Sequence, residues 1–373
     1  MSNSLMDVFI EKGWKTGLLS CIFAFTRVIS PSPLSEKIFV IEKDLRKNGI
    51  QTKISLDKRF QAYKNGFTTH KYLFYDLSNY SQIDDYLSDF HTSLIRRNIH
   101  KNTHILYNKK KFHDFMIEKG LTKYAPKFLG VIKNGEFDDG ISILDIMDKY
   151  KKVVVKPIKG SQGAKLSLLE KKKDSFKINN KKKNKEELKS YISNLDDFIV
   201  TEFCEQANFL KYIYPNSTNT VRILTIYPKN DDPIIIHAYL RIGTKRSGFV
   251  DNVHRGGLTA NINLDTGELG TAARILPDGR LKWYDFHPDT NRKIKGVQIP
   301  AWNEFKSKFI SINRKINEFK IVGWDLLFID KGDFVFIEGN NKYVGYRGHQ
   351  IHTPLLKSKP LRNFLVQNGL NMG

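Results

Sequence analysis

Cysteine is scarce: Cys21 and Cys204 are the only two in 373 residues. Two thiols exclude a disulfide scaffold and a cysteine-based zinc site, and reduced thiols in a cytoplasmic protein are the expectation. Long apolar runs are lacking too. Residues 17–29 (GLLSCIFAFTRVI) are the one candidate, 13 residues interrupted by Arg27 and followed by Pro31 and Pro33, against the about 20 needed to span a bilayer. The Gly-x4-Gly-Lys-Ser/Thr phosphate loop is missing, and there is no internal repeat. Acidic residues run short: 39 Asp and Glu face 61 Lys and Arg, a formal net charge of +22. That excess predicts attraction to polyanions without choosing among nucleic acid, an anionic membrane, and acidic glycans or phosphates. A Lys-, Asn- and Ile-rich composition competes with function as its source.

What is present argues for a folded protein. Hydrophobic residues make up 40% and aromatics 12%, which excludes wholesale disorder. At about 150 residues per domain the length predicts two or three domains. Residues 17–29 read first as a core helix. The sharper alternative is an interfacial helix whose Lys12, Lys15 and Arg27 reach anionic headgroups, associating the protein peripherally with the inner membrane face. Residues 35–49 and 80–99 carry apolar residues at helical spacing, so 1–105 is expected to be a mainly helical region. A short amphipathic helix follows at 111–119, ending at Gly120. Strand-like runs then appear at 153–155, 165–170, 198–202, 220–227, 234–242 and 324–338, and the remainder is expected to be α+β. Between two of them, residues 171–189 hold nine Lys against three acids. They read as a solvated loop leading into a helix.

Two clusters carry chemistry. With a turn at Lys331–Gly332, residues 324–330 and 334–338 form a hairpin that sets Asp325 opposite Glu338, with Asn340 on the same face. Two carboxylates and an amide oxygen are hard donors of the kind Mg²⁺ takes when phosphate supplies the rest. Upstream, the apolar run 153–155 ends in Lys156, followed by the loop Lys159-Gly160-Ser161-Gln162-Gly163. A lysine closing an apolar strand is costly unless paired, and a nucleotide phosphate would pair it while the loop offers N–H groups.

Lys156 with its Gly loop, Thr201-Glu202-Phe203-Cys204-Glu205, Arg222, Asn252-Val253-His254-Arg255-Gly256-Gly257, then Asp325, Glu338 and Asn340, stand in an order that resembles ATP-grasp enzymes. The chain is similar in particular to the sugar-transfer-associated ATP-grasp family, over roughly residues 75–365. Asn108-Lys109-Lys110-Lys111-Phe112 resembles that family's first nucleotide-binding lysine motif. The resemblance implies an ATP-grasp fold, two α+β subdomains clasping ATP, after the helical region 1–105. The ATP-grasp domain would span 106–365, with 106–202 as the first, lid-bearing subdomain, 203–365 as the metal- and substrate-binding one, and 366–373 as a tail.

By position, the resemblance implies that Lys109 and Lys156 hold the ATP phosphates, with Lys110 and Lys111 adjoining as alternatives to Lys109. Gly160, Ser161, Gln162 and Gly163 would close over them. Glu202 and Phe203 would meet adenine and Glu205 the ribose. Asp325, Glu338 and Asn340 would bind magnesium, two ions being expected, with Asn341 a competitor for Asn340. Arg222 and Arg255 would face the γ-phosphate and the reacting carboxylate. Arg241, Arg246, Asn252, His254, Gly256 and Gly257 would line the site for an anionic substrate. The activity implied is ATP-dependent carboxylate–amine ligation through an acyl phosphate, joining an amino acid or simple amine to a uronic acid or other glycan carboxylate in polysaccharide biosynthesis. Two alternatives remain: an ATP-grasp kinase acting on a polyanionic metabolite, and a non-enzymatic binder of polyanions. Nucleic acid is not an expected partner, since nothing beyond charge points to it.

Overall fold

The computed structural model describes residues 8, 12, 14–29, 32–48, 54–77, 83–138, 140–160, 165–173, 175–277 and 279–370. The chain divides into two units, one of residues 1–100, 276–281 and 346–373, the other of residues 101–275 and 282–345.

The first unit is helical, as its periodicity predicts. Its helices are Trp14–Ile29, Ser32–Asn48, Leu56–Lys64, Thr69–Phe74, Asp89–Asn98, Tyr346–Gln350 and Lys359–Gln367. The apolar repeat at 80–99 is not one helix. A 3-10 turn at Ile83–Asp85 precedes Ser88, which starts a new helix by capping it: Ser88 Oγ accepts from His91 N–H and Ser88 N–H donates to His91 Nδ1. Asp89 then sits buried in the first turn, accepting from Thr68 N–H and Oγ–H and paired with Lys71 at 3.0 Å and Lys43 at 3.3 Å. Burial alone would raise the Asp89 pKa, but the two ammonium groups outweigh it and hold the carboxyl well below its ordinary value. Trp14–Ile29 departs from the core-helix expectation. Thr16, Gly17 and Ser20 are buried, while Trp14, Leu18, Ile22, Phe25, Val28 and Ile29 are exposed.

The second unit is built on two seven-stranded sheets. The first contains β1 (Phe128–Lys133), β2 (Glu136–Phe137), β3 (Lys152–Pro157), β4 (Ser167–Lys172), β5 (Ser175–Ile178), β6 (Lys181–Lys183) and β7 (Phe198–Glu202), in the order β2-β1-β7-β3-β4-β5-β6. The Lys-rich run 171–189 therefore leads into a helix as expected, but its first part is strand rather than loop. β5 and β6 extend the edge of the sheet, and Asn184 then caps the helix Lys185–Ser193 through a reciprocal pair with Glu187. The second sheet contains β8 (Val221–Ile226), β9 (Ile234–Ile242), β10 (Leu258–Ile262), β11 (Leu269–Ile275), β12 (Leu281–Tyr284), β13 (Ile321–Ile329) and β14 (Asp333–Asn340), ordered β12-β11-β10-β9-β8-β13-β14. One face packs on the helix Trp302–Asn313 through Phe305, Phe309, Trp324, Phe328, Phe334 and Phe336. An α+β class with a helical N-terminal region is what the sequence predicts.

The β13–β14 hairpin settles the register. Its turn is three residues, Asp330–Gly332, not two, so Ile329 pairs with Asp333 and Leu326 with Phe336. A bulge then gives β14 one extra residue, Ile337, and restores Asp325 opposite Glu338 and Gly323 opposite Asn340.

Candidate active site

The N-terminus of the helix Lys109–Glu118 and the end of β3 are stitched together. Asn108 caps that helix by accepting from Lys111 N–H. Asn108 bridges to Lys159, and Lys109 N–H donates to Ile158 O at 2.9 Å. Lys109 Nζ donates to Gly160 O at 3.1 Å. Gly160 has φ +141°, a conformation open to glycine and strained for other residues. Lys109 is thus the member of its lysine triplet beside Lys156, while Lys110 pairs with Asp114 and lies over the Phe128 ring. Lys156 is buried, with no carboxylate at ion-pair distance among the described residues. Burial and the neighbouring Lys109 charge lower its pKa to about 8, against a partial opposing pull from Glu338. Ser161, Gln162 and Gly163 lie outside the described residues.

Next to β7, Glu202 exchanges hydrogen bonds with Lys127: its N–H donates to Lys127 O, and its carboxylate accepts from Lys127 N–H. The Phe203 ring lies under Lys152 Nζ at 3.6 Å. Glu205 is engaged by Lys211 at 3.1 Å and Lys152 at 3.4 Å. The Cys204 thiol is pushed up to about 12 by burial, with Glu202 adding to it, and is neutral.

The polar face of the second sheet holds a buried charge network. Asp325 stands on β13 beside Arg222 on β8. Arg222 Nε and Nη2 donate to the two Asp325 oxygens at 2.5 and 2.9 Å, and Nη1 donates to Val344 O. Room for this guanidinium comes from Gly323, where a Cβ would run into Val344 O and stand 3.1 Å from Arg222 Nη1. Arg241 reaches Asp325 at 3.2 Å and Asp251 at 3.4 Å, and donates to Thr220 Oγ. Burial alone would lower the Arg241 pKa, but Asp251 and Asp325 overcome that and hold it firmly charged. Glu338 carries no ion pair among the described residues, though it contributes to the fields at Lys156 and Arg241. Among the described residues no group of three or more His, Cys, Asp or Glu stands close enough to hold a metal ion. The available oxygens are those of Glu338, Asn340 and the free directions of Asp325. Asn341 is buried, and its Nδ2 donates to Lys101 O.

Asp251 and Thr220 escape sequence reasoning, although Asp251 immediately precedes the Asn252 loop. Asp251 accepts from Thr220 N–H and Oγ–H and so anchors that loop to β8. Within the loop, Asn252 caps the turn Val253–Arg255 by accepting from His254 N–H. Gly256 has φ +94° and lies against the Arg246 stem, and a Cβ on Gly257 would stand 2.7 Å from Asp251 O. Arg246, His254 and Arg255 are exposed. The structure thus gathers Lys109, Lys156 and Gly160 in one cluster, and Arg222, Arg241 and Asp325 in a second. Arg246 and Gly256 meet in a third.

The family model described as sugar-transfer associated ATP-grasp matches residues 89–363. No curated protein sequence matches the chain. Among solved structures, the chain is similar to an L-amino acid ligase from Bacillus licheniformis at 12% identity and a TM-score of 0.37, covering 70% of this chain and 48% of that one. An N5-carboxyaminoimidazole synthetase from Staphylococcus aureus complexed with ADP matches at 11% identity and a TM-score of 0.37, covering 68% and 51%. The VanG D-Ala:D-Ser ligase from Enterococcus faecalis matches at 12% identity and a TM-score of 0.38, covering 68% and 57%. The chain spans about half the length of these structures.

Proposed function

Because the chain belongs to the sugar-transfer associated ATP-grasp family, we propose that it is an ATP-dependent ligase joining the amine of an amino acid or simple amine to the carboxylate of a uronic acid or other glycan. The product would be an amide in capsule, O-antigen or exopolysaccharide assembly. The family gives the fold, ATP-grasp, and the enzyme class, an ATP-grasp ligase. The observation that most supports phosphate binding is Lys156, a buried ammonium beside a second lysine and, among the described residues, without a carboxylate at ion-pair distance. Such a group is stable only when an anion meets it.

In this reading Lys109 and Lys156 hold the ATP phosphates under the loop 160–163, and the backbone at Glu202 and Phe203 meets adenine. Glu205, already held by two lysines, takes the ribose. Magnesium fits the donor set. Glu338 and Asn340 offer hard oxygens without a competing ion pair among the described residues, while Asp325, two of whose roughly four lone-pair directions accept from Arg222 and whose Oδ2 also pairs with Arg241 at 3.2 Å, has less to offer. Two ions are proposed; bound there, magnesium neutralises phosphate charge. Arg222 would act through Asp325, holding the carboxylate in place. Arg255 and Arg246, with Asn252, His254 and the N–H groups at Gly256 and Gly257, would bind the sugar carboxylate. Arg241 would complete the positive wall behind it.

The carboxylate oxygen attacks the γ-phosphorus, the bond to the β-phosphate oxygen breaks, and ADP leaves. Charge gathers on the transferring phosphoryl group, where Lys109, Lys156 and Arg255 stabilise it. The amine then attacks the acyl carbon, phosphate departs, and the amine proton passes to solvent or phosphate. The cytoplasm supplies ATP and is the proposed location. The test is incubation with Mg-ATP and pools of uronic acids and amines, following ADP release and product mass. Amide formation that requires the amine, and that Glu338→Gln abolishes, supports the reading. ADP release without amine, yielding a phosphorylated sugar, would establish a kinase instead. Turnover indifferent to Glu338→Gln would remove the site assignment.

A further inference from the structure

The helix Trp14–Ile29 is turned inside out relative to a water-facing helix. Its buried positions are small, Thr16, Gly17 and Ser20. Its large apolar side chains face outward, with Trp14 66%, Phe25 68% and Ile29 68% exposed. At about 100° per residue, Trp14, Leu18, Ile22, Phe25 and Ile29 fall within an arc of about 80°, a continuous stripe about 22 Å long. Val28 and Leu19, also exposed, flank it. A stripe of this size left in water is unfavourable and marks a surface that something apolar covers.

The charges around it select the partner. The acids of the neighbouring helix are turned inward: Glu36 accepts from Ser93 Oγ and Arg97, Glu42 pairs with Arg46, and Asp44 accepts from Tyr63 and Thr69. Lys15, on the border of the stripe, and Lys37 are exposed. In the same unit, the helix Leu56–Lys64 exposes Leu56 and Phe60 among Lys58, Lys64 and a single acid, Asp57. No helix of the described residues is long and apolar enough to cross a membrane. An apolar stripe with tryptophan at one end and a lysine at its edge, beside a helix whose acids are turned inward, suits a helix lying in the plane of a bilayer surface, apolar face down, cations among anionic headgroups.

We propose that the helix Trp14–Ile29 docks the protein on an anionic lipid bilayer, lying in the interface rather than spanning it. The full chain should co-sediment with phosphatidylcholine–phosphatidylglycerol vesicles and much less with phosphatidylcholine alone, and salt should weaken the binding. Leu18→Glu with Ile22→Glu should reduce it at least about tenfold, since two apolar side chains no longer enter the interface. Both positions are exposed, and circular dichroism melts check that the fold survives. Should that variant unfold, Lys15→Glu with Lys37→Glu carries the test and should weaken binding to anionic vesicles. No sedimentation with anionic vesicles, equal binding to both vesicle types, or binding that neither variant weakens overturns the proposal. So does a dimer in light scattering that Leu18→Glu splits, which would assign the stripe to a second copy of this chain.

Discussion

Lys156→Met is expected to stabilise the protein in the absence of nucleotide. The buried ammonium has its pKa lowered from 10.5 to about 8, chiefly by burial and then by Lys109. At about 1.4 kcal/mol per pH unit, the charged form costs the folded state about 3 kcal/mol. The sign follows from proton counting. Between pH 8 and 10.5 the unfolded chain keeps a proton that the folded chain has released, so stability rises with pH across that window. Below pH 8 the cost is present in full; above about pH 10.5 it is gone. Methionine fills nearly the same volume without the charge. Equilibrium urea unfolding without nucleotide should therefore show Lys156→Met more stable than the parent by about 3 kcal/mol at pH 7, with the difference shrinking towards zero by pH 10. Mg-ATP at a thousand times its Kd should reverse the order, because it adds about 4.1 kcal/mol to the parent and little to the variant. A variant less stable than the parent at pH 7, or a difference that does not change between pH 7 and 10, would refute the reasoning.

Three further outcomes can be checked. Asp325→Asn removes the negative charge and one of the two oxygens that face the buried Arg222 guanidinium and should cost about 3–5 kcal/mol; Arg222→Met in the same chain should recover part of it, and a double-mutant cycle showing additivity would contradict the buried pair. Gly323→Ala pushes a methyl into Val344 O and the Arg222 guanidinium, so urea unfolding should register a loss of about 1–3 kcal/mol, with ligase turnover falling as well. Asp89 has a depressed pKa in the folded state, so its contribution is present above the ordinary carboxyl value and is lost as pH falls through and below it. Acid unfolding of Asp89→Asn should accordingly show a shallower pH dependence below pH 4 than the parent, which thermal melts across that range would measure.

The sequence was most legible where chemistry and local pattern coincide. The strand Ile234–Ile242 is readable from its composition, and Asp325 does stand opposite Glu338, but that pairing rests on a three-residue turn offset by a bulge, neither of which spacing reveals. Choosing Lys109 over Lys110 and Lys111 was not legible, because that choice depends on where the helix N-terminus meets the loop after β3. Asp251 and Thr220 could not be found either: their roles arise from contacts with residues on other strands. The lysine run at 171–189 reads as loop because β5 buries only Phe176 and Ile178 and the edge strand β6 is all lysine, and an exposed edge carries charge as readily as a loop does. Residues 17–29 read as a core helix because hydrophobicity says that a side chain avoids water, not which covering it will find.

The extra residue in β14 has a consequence for what deletions the chain would tolerate. Phe334, Phe336, Glu338 and Asn340 share the same parity along one strand, and a regular strand would send all four to one side. Because Ile337 interposes, the two phenylalanines enter the core with Phe328 and Leu326 while the acid and amide emerge beside Asp325. Deleting Ile337 would therefore remove the bulge and leave a regular ladder in which Glu338, now next to Phe336, still stands opposite Asp325 and away from the aromatic core. A one-residue change at the Asp330–Gly332 tip has the same bulge between it and the acid pair to absorb the slip, so this hairpin can lose a residue at the tip or at the bulge and keep Asp325 opposite Glu338.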